Sequence, residues 1–283
     1  MRGRCTIAGP SERFVGVGLH SGRESWIQLY PTLYPGRGII FRSQDSGAEI
    51  SASAANVTST NRSTTLGNGE LRVETVEHLL SALYSTGITD VEIAFQGTEL
   101  PIGDGSALPF VHLVENAGLT ELGGVLDELT LEKEVVVSDG HGSVLTAVPS
   151  DSFWITAVLD YSDYSAIGAM AASYSGVDYK TLIAPARTYG FYHELDALKA
   201  AGLGLGVSYS NVIALENDGK PDARTPLRMN DELVRHKILD IIGDLSLSQK
   251  EIKIGIVALR PSHKLNVQLS RILLGQGEKS GVI

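Results

Sequence analysis

A single cysteine, Cys5, is all the thiol the chain contains. That excludes an internal disulfide and a thiolate metal cluster, so any bound metal must be held by nitrogen and oxygen. Cys5 itself reads as a small, inert, partly buried residue. Apolar runs of the ~18–20 residues that cross a bilayer are also missing. Residues 1–22 have no apolar stretch long enough for a signal peptide. The protein is therefore expected in the cytoplasm, with no transmembrane segment and at most peripheral membrane contact. Basic residues are the minority: 23 Lys and Arg against 33 Asp and Glu give a net charge of -10. Such a chain is a poor partner for nucleic acid, which demands clustered cations. A nucleotide stays within reach, because a few local cations can hold one.

What is present is a globular composition. With 43% hydrophobic and 20% charged residues over 283 positions, the chain can bury a real core as one large domain or two of ordinary size. Short β-type runs alternate with helix-type stretches, which indicates an α+β fold. Strands are predicted at 14–19, 25–29, 38–41 and 91–95, with helices at 73–83 and 106–116. A second half repeats the style, with strands at 129–138, 143–148, 153–160 and 253–259 and helices at 194–201 and 231–247. The stretch 118–128 carries Gly123 and Gly124, lacks a period and reads as the seam between halves. No internal sequence repeat is convincing. The polar tail 275–283 is expected to be flexible.

The helix at 231–247 carries the strongest chemical signal. At ~100° per residue, His236, Lys237, Asp240 and Asp244 share roughly a 100° arc, with Val234, Ile238, Ile241, Ile242 and Leu245 on the core side. His236 and Asp240 lie one turn apart and can share a metal. A solvated face with an ordinary His–Asp hydrogen bond fits the same spacing. The helix at 73–83 sets Glu77 beside His78 in an apolar surrounding, where a carboxylate is costly unless paired or employed. His78 could complete a set of two His and one carboxylate with His236 and Asp240, leaving an open position, the usual catalytic zinc arrangement. Zinc lowers the pKa of a bound water to ~7, and Glu77 is placed to take its proton as general base. His263 falls in a loop after the strand at 253–259, suited to protonating a departing amine or to being a surface histidine. Thr188 can donate to an oxyanion or serve only structure.

Six segments carry a family resemblance. They are Gly16-Val-Gly-Leu-His-Ser-Gly22, Thr75-Val-Glu-His-Leu-Leu-Ser-Ala-Leu83, Pro101-Ile-Gly-Asp-Gly-Ser-Ala107, Ala186-Arg-Thr-Tyr-Gly-Phe191, Val234-Arg-His-Lys-Ile-Leu-Asp-Ile-Ile-Gly-Asp244 and Ser262-His-Lys-Leu-Asn266. In this order, from about Thr6 to Leu274, the chain resembles the UDP-3-O-acyl-N-acetylglucosamine deacetylases of lipid A synthesis. The resemblance implies two similar domains, 1–122 and 126–274, each a β-sheet with two helices. The helices would pack between the two sheets, with the active site at the domain interface and a β-α-β insert near 191–215 forming a passage for an acyl chain. It implies zinc, or ferrous iron in the cell, on His78, His236 and Asp240, and Glu77 as general base. It makes His263 the acid, Asp244 its partner, and Thr188 and Lys237 the groups that steady the intermediate. Substrate contacts would come from His20, Tyr189, Phe191 and Arg260.

The implied reaction releases acetate and a free amine from an acylated UDP-amino-sugar, and a monomer is expected. Departures from the family pattern cluster around that core: Arg62 at a usually apolar place, Glu194 for an Asp, and Arg260-Pro-Ser262 before the histidine. Tyr209 stands beside Ser210 where an Asp is customary, and Tyr161-Ser-Asp-Tyr-Ser165 lacks the customary His-Pro. They leave open a related deacetylase acting on another N-acetylated sugar. A non-catalytic metal-binding paralogue is the third reading.

Overall fold

A computed structural model describes residues 2–276. The tail expected to be flexible lies from 277 onward outside the described residues.

Two five-stranded sheets organise the chain. The first contains β1 (Phe14–Val17), β2 (Glu24–Tyr30), β3 (Ile39–Ser43), β4 (Glu49–Ser51) and β5 (Val91–Gln96), in the order β1-β2-β5-β3-β4. The second contains β6 (Val135–Ser138), β7 (Val144–Pro149), β8 (Trp154–Tyr161), β9 (Gly168–Tyr174) and β10 (Ile254–Leu259), in the order β6-β7-β10-β8-β9. The late strand is central in both, antiparallel to one neighbour and parallel to the other. The two sheets therefore repeat one topology, although no sequence repeat betrays it. One pattern of strand alternation suffices for both, because period-2 burial constrains residue class and not identity. In β2, for example, Ser25, Ile27 and Leu29 are buried in alternation.

Each central strand is flanked in sequence by two helices: α1 (Glu77–Thr86) and α2 (Leu108–Ala117), then α5 (Glu232–Ser246) and α6 (His263–Leu273). Two more lie between them, α3 (Tyr179–Leu182) and α4 (Tyr192–Ala200). α1 packs on α5 across the middle of the molecule, α2 reaches the first sheet through Phe14 and Phe110, and α5 and α6 lie on the second. The layers run sheet, helices, helices, sheet. α5 is buried on nearly every side, because its apolar arc faces the second sheet and its polar arc faces α1. Tyr189–Phe191 pairs in parallel with Ile213–Leu215, and α4 connects them. No helix among the described residues is long and apolar enough to cross a membrane.

Several elements differ from the sequence reading. α1 starts at Glu77 rather than at 73, because Arg72–Val73 is a strand paired with Thr65–Gly67 and Thr75 takes φ +58. The left-handed turn stops the helical backbone there. The seam is not irregular: Leu119–Val125 is a strand antiparallel to Gly3–Ile7. Its glycines obscured the pattern, and its partner is more than a hundred residues away in sequence. The strand expected at 129–138 is split into Glu128–Leu129 and Val135–Ser138. His263 is not in a loop but is the first residue of α6, which the Ser262 side chain caps by accepting from Leu265 N–H.

Candidate metal and proton-transfer site

α1 and α5 approach closely where Gly243 faces the backbone of Glu77. A Cβ at Gly243 would lie 2.1 Å from the Glu77 carbonyl oxygen. This contact brings the first turn of α1, with Glu77 and His78, against the middle of α5, with His236 and Asp240. His78, His236 and Asp240 are all buried, and each offers a ligand atom within 4.8 Å of the others. Asp240 Oδ1 lies 3.8 Å from His78 Nε2 and 3.5 Å from His236 Nε2. Such separations would let the three side chains converge on one divalent cation. His236 Nδ1 donates to the Ala186 carbonyl at 3.1 Å, which leaves Nε2 as the free lone pair. Asp240 Oδ1 and His78 Nδ1 are buried with no hydrogen-bond partner. An orphaned carboxylate oxygen between two imidazoles fits a divalent cation better than a closed hydrogen-bond network. Burial, then the neighbouring His236, pushes His78 down to about 3, so it stays neutral and able to ligate. Burial likewise lowers His236. Burial opposes ionisation of Asp240, but Lys237 and the histidines outweigh it and hold the carboxyl well below its usual range. Lys237 Nζ donates to Asp240 Oδ2 at 2.8 Å.

Glu77 and His263 flank this cluster. Glu77 Oε2 accepts from Thr64 N–H at 3.0 Å, and Oε1 lies 3.8 Å from His263 Nε2. Burial pushes Glu77 up to about 7, with His263 pulling it down and Asp244 and Asp240 raising it. Burial works against the His263 imidazolium, yet Asp244, Asp240 and Glu77 together carry it up to about 9. Asp244 Oδ2 accepts from His263 Nδ1 and from Asn266 Nδ2, each at 2.9 Å, and Oδ1 accepts from Thr64 Oγ1 at 2.5 Å. Both groups are thus raised, Glu77 toward neutrality and His263 above it.

Thr64 and Asn266 are the members sequence reasoning missed. Thr64 holds Glu77 by its backbone and Asp244 by its hydroxyl. Asn266 sits three residues after His263, on the same helical face. That spacing was a readable signal for Asn266, whereas nothing local singled out Thr64.

The remaining candidates surround this centre. A groove of about 390 Å³ is lined by Glu77, His78, Thr188, Tyr189, Phe191, His236, Lys237, Asp240 and His263. Asp244 is fully buried behind His263. Thr188 is set by its N–H donating to the Gly105 carbonyl, and Gly105 (φ +86) has no room for a Cβ against the Asn211 carbonyl. Tyr189 and Tyr161 share a hydroxyl hydrogen bond at 3.0 Å, and Phe191 stacks on Tyr164. Arg260 falls outside the groove, in an adjoining depression with Lys237, Tyr161 and Tyr164, and its Nε donates to the Asp160 carbonyl. His20 also falls outside, in a second, largely apolar cavity of about 260 Å³ beneath α4, with both ring nitrogens unpartnered. Glu99 accepts from the backbone N–H of His20 and Ser21 and so fixes that turn.

The family model for UDP-3-O-acyl N-acetylglycosamine deacetylase (LpxC) matches residues 4–275. A UDP-3-O-acyl-N-acetylglucosamine deacetylase of Pseudomonas entomophila is 38% identical over 277 residues, 96% of this chain and 90% of its own. Proteins of the same name from Geotalea uraniireducens and Citrifermentans bemidjiense are 36% and 37% identical, each over 94% of this chain and 86% and 87% of their own. Matched over residues 4–275, the chain belongs to the UDP-3-O-acyl N-acetylglycosamine deacetylase family.

Proposed function

We propose that this protein deacetylates UDP-3-O-(hydroxyacyl)-N-acetylglucosamine in lipid A biosynthesis, with zinc, or ferrous iron in the cell, on His78, His236 and Asp240. The carrying observation is a buried carboxylate and imidazole, Glu77 and His263, set 3.8 Å apart beside that three-ligand cluster, with His263 Nε2 3.9 Å from Asp240. A metal bound there supplies a Lewis acid for the acetamide carbonyl and lowers the pKa of water. Glu77, held by Thr64 N–H, takes a proton from the attacking water as the new C–O bond forms. His263, oriented by Asp244, delivers its proton to the amide nitrogen as the C–N bond breaks, so acetate and the free amine leave. Thr188 in the groove wall donates to the oxyanion, and Lys237 adds a positive charge beside Asp240. The UDP end is assigned to the side of Arg260, and the acyl arm to the cavity lined by His20, Tyr189 and Phe191.

The division into domains 1–122 and 126–274, with an insert near 191–215, belongs to the same reading and is supported by the repeated strand order. Monomeric, cytoplasmic action with at most peripheral membrane contact completes it.

The test is acetate release from UDP-3-O-acyl-N-acetylglucosamine by zinc-reconstituted protein. Glu77→Ala is expected to lower kcat by about 10²–10⁴-fold while zinc stays bound. His78→Ala and Asp240→Ala are expected to lose the metal. No release by the folded, zinc-loaded parent refutes the proposal.

A further inference from the structure

The groove and the apolar cavity meet beneath α4, and two charged residues border both volumes there: Arg62, from the loop following Val57–Ser59, and Glu194, from the first turn of α4. Arg62 Nη2 donates to Glu194 Oε1 at 2.9 Å, and Nη1 donates to Oε2 at 3.3 Å, a two-pronged ion pair. The loop holds Arg62 at φ +65, left-handed backbone that a side chain disfavours and that recurs at ligand clamps.

On the C-terminal side Tyr192 bonds Tyr209 and His193 stacks on Tyr164, and just past the helix Leu205 and Gly206 N–H donate to the His20 and Leu19 carbonyls. α4 itself packs lightly. It has no buried residue, yet Leu195 and Leu198 form part of the cavity wall. A short helix without a buried face depends on tertiary ties. Tyr192 ties it to Asp222 in the C-terminal half. Among the described residues, Arg62–Glu194 is its one hydrogen-bonded side-chain tie to the N-terminal half.

We propose that the Arg62–Glu194 pair is a specificity determinant: by clamping α4 to the N-terminal loop it fixes the mouth through which an acyl arm leaves the groove. Both residues act on the arm and not on the acetamide, since neither touches the metal cluster or the Glu77–His263 pair. The inference rests on the deacetylase reading above.

The experiment compares metal-loaded Arg62→Glu, Glu194→Arg and the double charge swap with the parent. The substrates are UDP-3-O-acyl-N-acetylglucosamine with a long acyl arm and its 3-O-acetyl counterpart, whose arm is too short to reach the cavity. The two side chains are 48% and 30% exposed, so the substitutions leave the core alone. Each single variant is expected to lose about fivefold in kcat/KM on the long-arm substrate, the upper end for an exposed pair. The short-arm substrate should stay within about twofold, and the double swap should return to within about twofold of the parent on both. Unchanged or raised long-arm kcat/KM overturns the proposal, as do equal losses on both substrates or a double swap no better than the singles. A parent inactive on both nucleotide-sugars sinks the deacetylase reading instead, which keeps the two failures apart.

Discussion

Gly243→Ala perturbs the contact on which the site depends without touching any side chain in it. The added Cβ would sit 2.1 Å from the Glu77 carbonyl oxygen and 2.8 Å from its carbon. An acceptable C···O approach is about 3.3 Å, so α1 and α5 must separate locally by roughly 1 Å. Backbone stands on both sides, so no side chain can swing away. Overpacking of this kind costs about 1–3 kcal/mol, or roughly 2–5 °C in Tm for a chain of this size. The functional cost is larger, because α1 carries Glu77 and His78 while α5 carries His236 and Asp240. A 1 Å misplacement costs on the order of 10²-fold in rate. Melting curves, metal content after dialysis and single-turnover acetate release together check this. Full zinc occupancy with parental Tm and kcat in Gly243→Ala would refute the reasoning that this helix contact assembles the site.

Other outcomes follow from the electrostatics. kcat/KM should rise with pH through about 7 as Glu77 loses its proton and fall through about 9 as His263 loses its own, giving a bell. Asp244→Asn removes a charge that favours the His263 imidazolium, so the alkaline limb should move to lower pH; a stationary limb refutes the assignment. Glu232 is fully buried and accepts from Arg187 N, Nε and Nη2 and from Arg228 N. Glu232→Ala leaves the Arg187 guanidinium without its carboxylate beside Thr188 and should cost about 3–5 kcal/mol, read by chemical denaturation. A loss below about 1 kcal/mol would mark the pair as a surface-like bridge.

α5 shows how far the sequence could be read. Its 3.6-residue period separated Ile238, Ile241, Ile242 and Leu245 from His236, Lys237, Asp240 and Asp244, and that division holds. The expectation that one arc meets the core was incomplete, because both arcs are buried and the polar one faces α1. The start of α1 was misplaced since Val73 and Val76 fit a helical stripe, while Val73 belongs to a short hairpin in which it pairs with Leu66, seven residues earlier. His263 was read as a loop residue because Pro261 and Ser262 signal a break; here they precede a capped helix. Arg62 and Glu194 each stood out as departures, yet their pairing across 132 positions was invisible.

The sequence by itself determined the chemical inventory. Nitrogen and oxygen ligands without thiolates, a Glu-His dipeptide, a His-x-x-x-Asp turn and strand and helix periods are all local facts of composition and spacing. Only the tertiary structure decided which of them act together. Thr64 joining Glu77 to Asp244, Gly243 admitting α1, and His78 meeting His236 across 158 positions depend on how two sheets stack their helices. The reason is physical: period and propensity act over one or two turns of chain. The burial that raises Glu77, and the packing of Asp244, Asp240 and Glu77 that raises His263 against its own burial, exist only once both halves exclude water from the space between them.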